Sequence, residues 1–175
     1  MNKFLIFLFL TVNSTHLLAA DSQFLMNTQV SKHFRWANAV QGLQVTFRAV
    51  SMPDGPIRDI MLGVYTTKKV GISEARKLFV ECTVDLINRL NADKQLRVWL
   101  IDYPYTYKNI AYTISFNGLK SGTVLPPYIT TVRMSRDEIV YEIWDEDAKK
   151  KVEVLREHYL DGVSKMQNQK TLEGI

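Results

Sequence analysis

Alternation of apolar and polar residues is the main signal in the chain beyond residue 42. Residues 43–50, LQVTFRAV, place apolar side chains at every second position, and residues 57–66, IRDIMLGVYT, do the same. The connection between them contains the turn-forming pair Asp54-Gly55. The pattern predicts two strands joined as a hairpin with a long loop.

A long helical pattern follows at residues 71–91, GISEARKLFVECTVDLINRLN. Ser73 is a good N-cap, and Glu74 lies in the first turn, where the helix dipole favours an acid. The apolar positions cover more than half of the circumference, so this helix should be heavily buried, gripped by a curved sheet or held between layers. They form a main stripe and a second set beside it: Ala75, Phe79, Cys82, Leu86 and Leu90, then Val80, Val84 and Ile87.

Four further segments have strand character and short connections, which favours an antiparallel meander. They are residues 96–102, 109–117, 128–134 and 139–145. The loop before the third of them, within residues 118–127, is rich in glycine and proline.

The last predicted element is an amphipathic helix over residues 145–166, capped by Asp145 or Asp147. Strands and helices are grouped rather than strictly alternating, which is typical of an α+β fold. We therefore predict a mainly antiparallel sheet of about six strands, with the long buried helix after strand 2 and the amphipathic helix at the C-terminus. The apolar stripe of the last helix is Val152, Leu155, Tyr159, Val163 and Met166.

The N-terminus has the three-part layout of a secretory signal peptide. Lys3 precedes a nine-residue stretch, 4–12, that is apolar except for Thr11. Polar residues 13–16 follow, and then Leu17-Leu18-Ala19-Ala20. Residues 1–20 are therefore predicted to be a signal peptide cleaved near Ala20, which places the mature protein in the periplasm or outside the cell. The alternative is an uncleaved membrane anchor, although polar residues interrupt the apolar run well before the roughly 20 residues that a spanning helix needs.

The remaining chain divides into three parts. Residues 21–42 form a lead-in with a possible short helix, residues 43–167 form a single α+β domain, and residues 168–175 form a flexible tail. We find no second apolar segment able to span a membrane in the mature chain. Cys82 is the single cysteine, so stability must come from a core rather than from an internal disulfide.

Charge and motifs exclude several function classes. Removing Lys3 with the leader lowers the formal net charge from +4 to +3, and no arginine stripe is present, so nucleic-acid binding is not predicted. No phosphate-binding glycine loop and no nucleophile elbow occur, and no cofactor is predicted. Cys82 lies on the main helical stripe, which indicates a buried hydrophobe rather than a reactive thiol.

Titratable residues give weak signals for metal binding or catalysis. His158 and Asp161 are three apart on one helical face, but two ligands specify little, so no metal site is predicted. Asp102 ends an apolar segment and could be a partly buried acid, although an aspartate there commonly bonds its own loop. No catalytic residue is assigned. The sequence leaves enzymatic activity open and favours a non-catalytic protein. The other carboxylates considered for acid–base work are Asp59, Glu142 and Asp145.

The most prominent candidate site is the segment IDYPYTYKN, residues 101–109, with tyrosines at alternate positions. In extended backbone these rings could share one face, and tyrosines suit contacts with peptides and proteins. The alternative is that the tyrosines pack over helix ends. In a meander, the turn at Ser135–Glu138 should share a sheet end with this loop. The candidate ligand or partner residues are Tyr103, Tyr105, Tyr107, Lys108 and Arg136.

The leading hypothesis is an exported, small, non-catalytic module that binds a protein, a peptide or an envelope component. Two alternatives remain open: an exported hydrolase with a carboxylate- or histidine-centred site, and a subunit of an envelope or secretion assembly. The sequence leaves the oligomeric state open.

Overall fold

The computed structural model describes residues 3–52, 56–116 and 124–172, and within them the side chains from Asp21 to Thr171. Within these described residues, three helices and six strands follow one another. In order they are α1 (Lys3–Gln41), β1 (Gln44–Ser51), β2 (Asp59–Tyr65), α2 (Ile72–Ala92), β3 (Ile110–Ser115), β4 (Thr131–Ser135), β5 (Glu138–Asp145), β6 (Lys150–His158) and α3 (Tyr159–Leu172).

The six strands form one sheet in the order β1-β2-β3-β4-β5-β6. All neighbours are antiparallel except β2 and β3, which run parallel in a register that begins at Ile60–Ile110. Parallel neighbours need a crossover, and α2 supplies it between β2 and β3. The fold is therefore α+β with a mostly antiparallel, mixed sheet and a C-terminal helix, as the sequence predicted.

All three helices pack on the same face of the sheet. On that face Tyr112 of β3 contacts His33 of α1 and Phe79 of α2, and α3 lies against Ile139 of β5. The other face presents the alternate residues of each strand, such as Met61 and Ala111. One row on the helix-covered face crosses most of the sheet: Val64, Ile114, Val132, Tyr141 and Leu155.

Helix α2 lies between the other two helices and contributes eight buried side chains to the core. It begins at Ile72 with Gly71 as N-cap, so the prediction of Ser73 as the cap is wrong, and Ser73 instead donates a hydrogen bond to Gln169 on α3. The buried residues are Ala75, Leu78, Phe79, Val80, Cys82, Thr83, Leu86 and Leu90.

The strand predicted at residues 96–102 is not a strand of the sheet. Arg97–Trp99 forms a 3₁₀ turn, and the segment contacts the sheet through a single bridge between Ile57 and Leu100. The backbone of Ile57 bonds the segment at this bridge, donating to Trp99 at 2.6 Å and accepting from Ile101 at 3.0 Å. The side chain of Val98 is 77% exposed, so this apolar residue supplies no core contact.

The helix predicted at residues 145–166 begins fourteen residues later than expected, because residues 150–158 form β6. The register with β5 shifts between Tyr141 and Glu142, so that Leu155 and Val152 both face the helices although they are three residues apart. This β-bulge gives the strand a spacing that mimics a helical period. The residues predicted to cap the helix, Asp145 and Asp147, lie in the β5–β6 turn.

The N-terminal and C-terminal segments are helical where the structure describes them. Helix α1 is continuous through Ala20 and Asp21, and Ser22 is the first buried residue among its described side chains. Helix α3 extends to Leu172, into the segment 168–175. The Asp54-Gly55 pair and much of the loop at 118–127 lie outside the described residues. Within the described part of the chain, no helix combines the length and apolarity that crossing a membrane requires.

Candidate functional site

Tyr105 is part of the core, beneath the loop that was predicted as the site. Its side chain is 1% exposed, and its hydroxyl donates to the carbonyl of Ile57 at 3.3 Å. The side-chain amide of Asn91 on α2 makes two hydrogen bonds with the Tyr105 backbone: it accepts from the N–H at 2.8 Å and donates to the carbonyl at 2.9 Å. Burial, followed by the nearby carboxylates of Asp59 and Asp102, raises the pKa of Tyr105, so the phenol is neutral.

The other two tyrosines of the loop face different surroundings. Tyr103 is 42% exposed, and the Arg97 guanidinium lies 4.2 Å from the centre of its ring. Tyr107 is half-buried and stacks on Tyr159 with ring centroids 4.5 Å apart. The three rings therefore do not form one shared surface, because one is in the core and another is stacked on α3.

Lys108 and Arg136 line the same cavity, on the sheet face opposite the helices. The cavity has a volume of about 260 Å³, and Asp59, Met61 and Ala111 also line it. It lies where β2 and β3 begin and β4 meets β5, and we call this the cavity end of the sheet. The meander geometry predicted that the tyrosine loop and the turn at Arg136 would meet here.

The cavity opens because β3 and β4 pair over only part of their length. Their register covers three residue pairs and stops at Thr113–Arg133. Beyond that point β3 pairs with β2 on its other side, while β4 continues along β5 as far as Ser135–Glu138. The space between the two strand ends forms the cavity.

The two cations of the cavity are exposed and have no ion-pair partner among the residues that the structure describes. Arg136 begins the two-residue turn between β4 and β5 with φ at 60°, a left-handed conformation that favours glycine. Lys108 lies in a 3₁₀ turn, Tyr107–Asn109, that Thr106 caps. Both side chains are therefore free to contact a ligand.

An aromatic and acidic cluster adjoins the cavity end. His158 lies edge-on to Tyr107 and 3.6 Å from the carboxylate of Asp137, next to Arg136 in the turn. The hydroxyl of Tyr159 is buried and has no hydrogen-bond partner in the described part of the chain. Burial, followed by the neighbouring Tyr107, raises the pKa of Tyr159 to about 12, so it is a neutral group at physiological pH.

Glu157 forms a buried polar cluster below this end that sequence reasoning missed. It accepts hydrogen bonds from Arg76 of α2 at 2.7 Å, from Lys165 of α3 at 2.8 Å and from the Tyr141 hydroxyl at 2.7 Å. Burial alone would raise the pKa of Glu157, but these donors outweigh it and lower the pKa. The cluster ties both helices to the sheet. Its only sequence signal is an acid placed at an inward position of a strand, which required knowing that β6 is a strand.

A second buried network joins α1 to α2 and the sheet. His33 is fully buried, with Nδ1 2.8 Å from the Asp85 carboxylate and Nε2 2.9 Å from the Tyr112 hydroxyl. Arg89 also binds Asp85, at 2.7 Å. Burial opposes ionisation of Asp85, but its bonds to His33 and Arg89 lower its pKa. The network fixes α1 in place.

Three further residues considered from the sequence, Asp102, Cys82 and Glu142, are bonded or buried within the fold. Asp102 accepts from the Asn109 side chain at 3.4 Å, which is the loop-bonding alternative. Cys82 is fully buried, and burial raises the pKa of its thiol to about 12, which opposes thiolate formation. Glu142 pairs with Arg133 at 3.1 Å. Among the described residues, no group of three or more acids, histidines or cysteines could hold a metal ion.

These features define a six-stranded α+β protein with helices on one sheet face and a small cationic cavity on the other. A scan of protein-family models, a search of curated proteins and a search of solved structures each found no match to the chain.

Proposed function

We propose that the protein is an exported, non-catalytic binding module whose contact surface is the cavity end of the sheet. The observation that carries this proposal is the convergence of Lys108 and Arg136 on one cavity, both exposed and both unpaired within the described residues. Arg133 on β4 and Lys149 in the β5–β6 turn, by contrast, have acidic partners. A pair of free cations on an uncovered sheet face supports recognition of a partner.

Export is part of the same proposal and rests on the N-terminal sequence pattern. We propose that the leader is removed near Ala20, so the mature chain begins at Asp21 and acts in the periplasm or outside the cell. N-terminal sequencing of the protein recovered from those fractions tests this step. Recovery of the chain only with Lys3 and the apolar run still attached would contradict it.

Site-specific photo-crosslinking in the native host tests the contact surface. A photoreactive residue at Met61, which is 49% exposed beside the cavity, should give discrete adducts. The matched control is Val154 on β6, which is 44% exposed and far from the cavity, and should give none. The Met61 adducts should be lost when Lys108→Glu and Arg136→Glu are combined. Equal labelling from both positions, or adducts insensitive to the charge changes, would overturn the proposed surface.

A further inference from the structure

We infer that the cavity end recognises a carboxylate next to an apolar side chain, as in an acidic-apolar peptide segment of a partner protein. This inference rests on the proposed function and names the ligand class of the same site. It follows from three properties of the cavity: its charge balance, its size and the apolar strip beside it.

The charge balance of the cavity favours a singly charged anion. Lys108 and Arg136 supply two positive charges, and Asp59, which also lines the cavity, supplies one negative charge. The remaining charge of +1 matches one carboxylate. A phosphate group carries about −1.5 to −2 at neutral pH and would be left both undercompensated and close to Asp59.

The size and geometry of the cavity favour a single side chain. Its volume of about 260 Å³ is below the range of roughly 300–1,000 Å³ that is usual for pockets holding whole small molecules. The planar guanidinium of Arg136 can bind both oxygens of a carboxylate, while Lys108 acts as a point charge beside it. The strained backbone of Arg136 is consistent with a residue retained for its side chain.

An apolar strip extends the cavity along the uncovered face of the sheet. Met61 is 49% exposed, and Phe47 on β1 is 46% exposed on the same face. The Phe47 ring lies directly over Gly63, where any Cβ would come within 2.1 Å of it, so glycine is needed for the ring to lie flat there. A peptide whose carboxylate enters the cavity would therefore place a neighbouring apolar side chain against Met61 and Phe47.

Titration with three blocked pentapeptides tests the inference by amide chemical-shift mapping on the purified protein in its exported form. The probes are acetyl-Ala-Leu-Glu-Leu-Ala-amide, its Gln analogue and its phosphoserine analogue. The Glu peptide should shift the amides of Lys108, Ala111 and Arg136. The Gln peptide should bind about tenfold more weakly or worse, because a hydrogen bond to a charged group contributes about 1.5–3 kcal/mol.

Variants identify the groups responsible. Arg136→Gln and Lys108→Gln should each weaken binding of the Glu peptide, and Lys149→Gln, a matched change in an exposed turn at the other end of β5, should not. Equal binding of the Glu and Gln peptides, tighter binding of the phosphoserine peptide, or shifts confined to other surfaces would overturn the carboxylate assignment. Met61 crosslinking distinguishes the two proposals: adducts without peptide binding reject only the carboxylate, and loss of both rejects the binding surface as well.

Discussion

The two turns at the ends of β5 each hold a basic residue with a left-handed backbone, but only one of the two residues has an acidic partner. Arg136 and Lys149 are the non-glycine residues with positive φ in the described part of the chain, at 60° and 50°. Lys149 donates to Glu146 at 2.9 Å within its own turn, whereas Arg136 has no ionic partner among the described residues. A left-handed backbone thus accompanies a cation paired within its own turn at Lys149 and an unpaired, exposed cation at Arg136.

The two ends of β6 also differ in how their acidic residues are bonded. Glu157 near the cavity end is buried and receives three donors, while Glu153, towards the far turn, pairs with Arg156 on the surface. The cavity end therefore combines a tightly bonded interior with unpaired surface charge. Because the bonded interior does not involve Lys108 or Arg136, we expect neutral replacements of these two residues to leave the fold intact.

The largest expected difference between the two ends is in stability. Glu157→Ala should lower the free energy of unfolding by about 3 kcal/mol, because it leaves the partly buried Arg76 without its carboxylate. Glu153→Ala should change stability far less, since its ion pair is solvated. Urea denaturation of both variants measures this. Equal losses would mean that the interior of the cavity end is not specially anchored.

The next effect is a pH dependence located at the same cluster. Because the pKa of Glu157 is lowered in the folded state, its contribution is fully present above the unfolded value of 4.5 and is lost as pH falls through the folded pKa. Stability should thus decline in acid, and Glu157→Gln should reduce that decline, whereas Glu153→Gln should reduce it less because Glu153 is exposed. Thermal unfolding between pH 3 and pH 7 provides the measurement, and an unchanged acid slope in Glu157→Gln would contradict the assignment.

Two tyrosines at the cavity end provide a smaller test of which aromatic contacts are structural. Tyr107→Ala should cost about 2 kcal/mol, because it removes the stacking on Tyr159 and exposes that ring. Tyr103→Ala should cost about 1 kcal/mol, since it removes a solvated ring contact with Arg97 and an exposed 3.3 Å hydrogen bond from the Tyr103 hydroxyl to the Asn91 carbonyl. If chemical denaturation ranks them the other way, the exposed tyrosine is the structural one.

The smallest stability change is expected from relieving strain in the turns. Arg136→Gly should raise stability by up to about 1 kcal/mol, because glycine tolerates the left-handed backbone. Lys149→Gly should gain less, since it also removes the bond to Glu146. Only Arg136→Gly should abolish binding of the Glu peptide. A variant that is both stable and still binds the peptide would break the proposed link between strain and recognition.

Much of the sheet could be predicted because its strands alternate locally. Strand β6 could not be predicted, because the bulge at its pairing with β5 puts Val152 and Leu155 three residues apart, a spacing that also suits a helix. At the segment around Val98 a strand was predicted where none forms. Its apolar residues alternate, but it pairs with Ile57 through a single bridge at Leu100. Both outcomes depend on a neighbour that is distant in sequence.

The candidate site was predictable in position but not in the orientation of its side chains. Strand order alone brings Lys108 and Arg136 to one end of the sheet. The inward orientation of Tyr105 depends on Asn91, a residue of α2 that grips the loop backbone. Alternation in extended backbone could not anticipate this, because a 3₁₀ turn at Tyr107–Asn109 interrupts the extended geometry.

The parallel seam between β2 and β3 has a consequence for the order of folding. Its paired residues, such as Ile60 and Ile110, are far apart in sequence, whereas the other strand pairs are joined by shorter connections. Contacts of long sequence separation form late, because loop-closure entropy must be overcome first. A chain synthesised from its N-terminus completes β1, β2 and α2 before β3 exists. During that time the edge of β2 that later pairs with β3 is exposed. That interval is when a newly synthesised molecule is most exposed to aggregation.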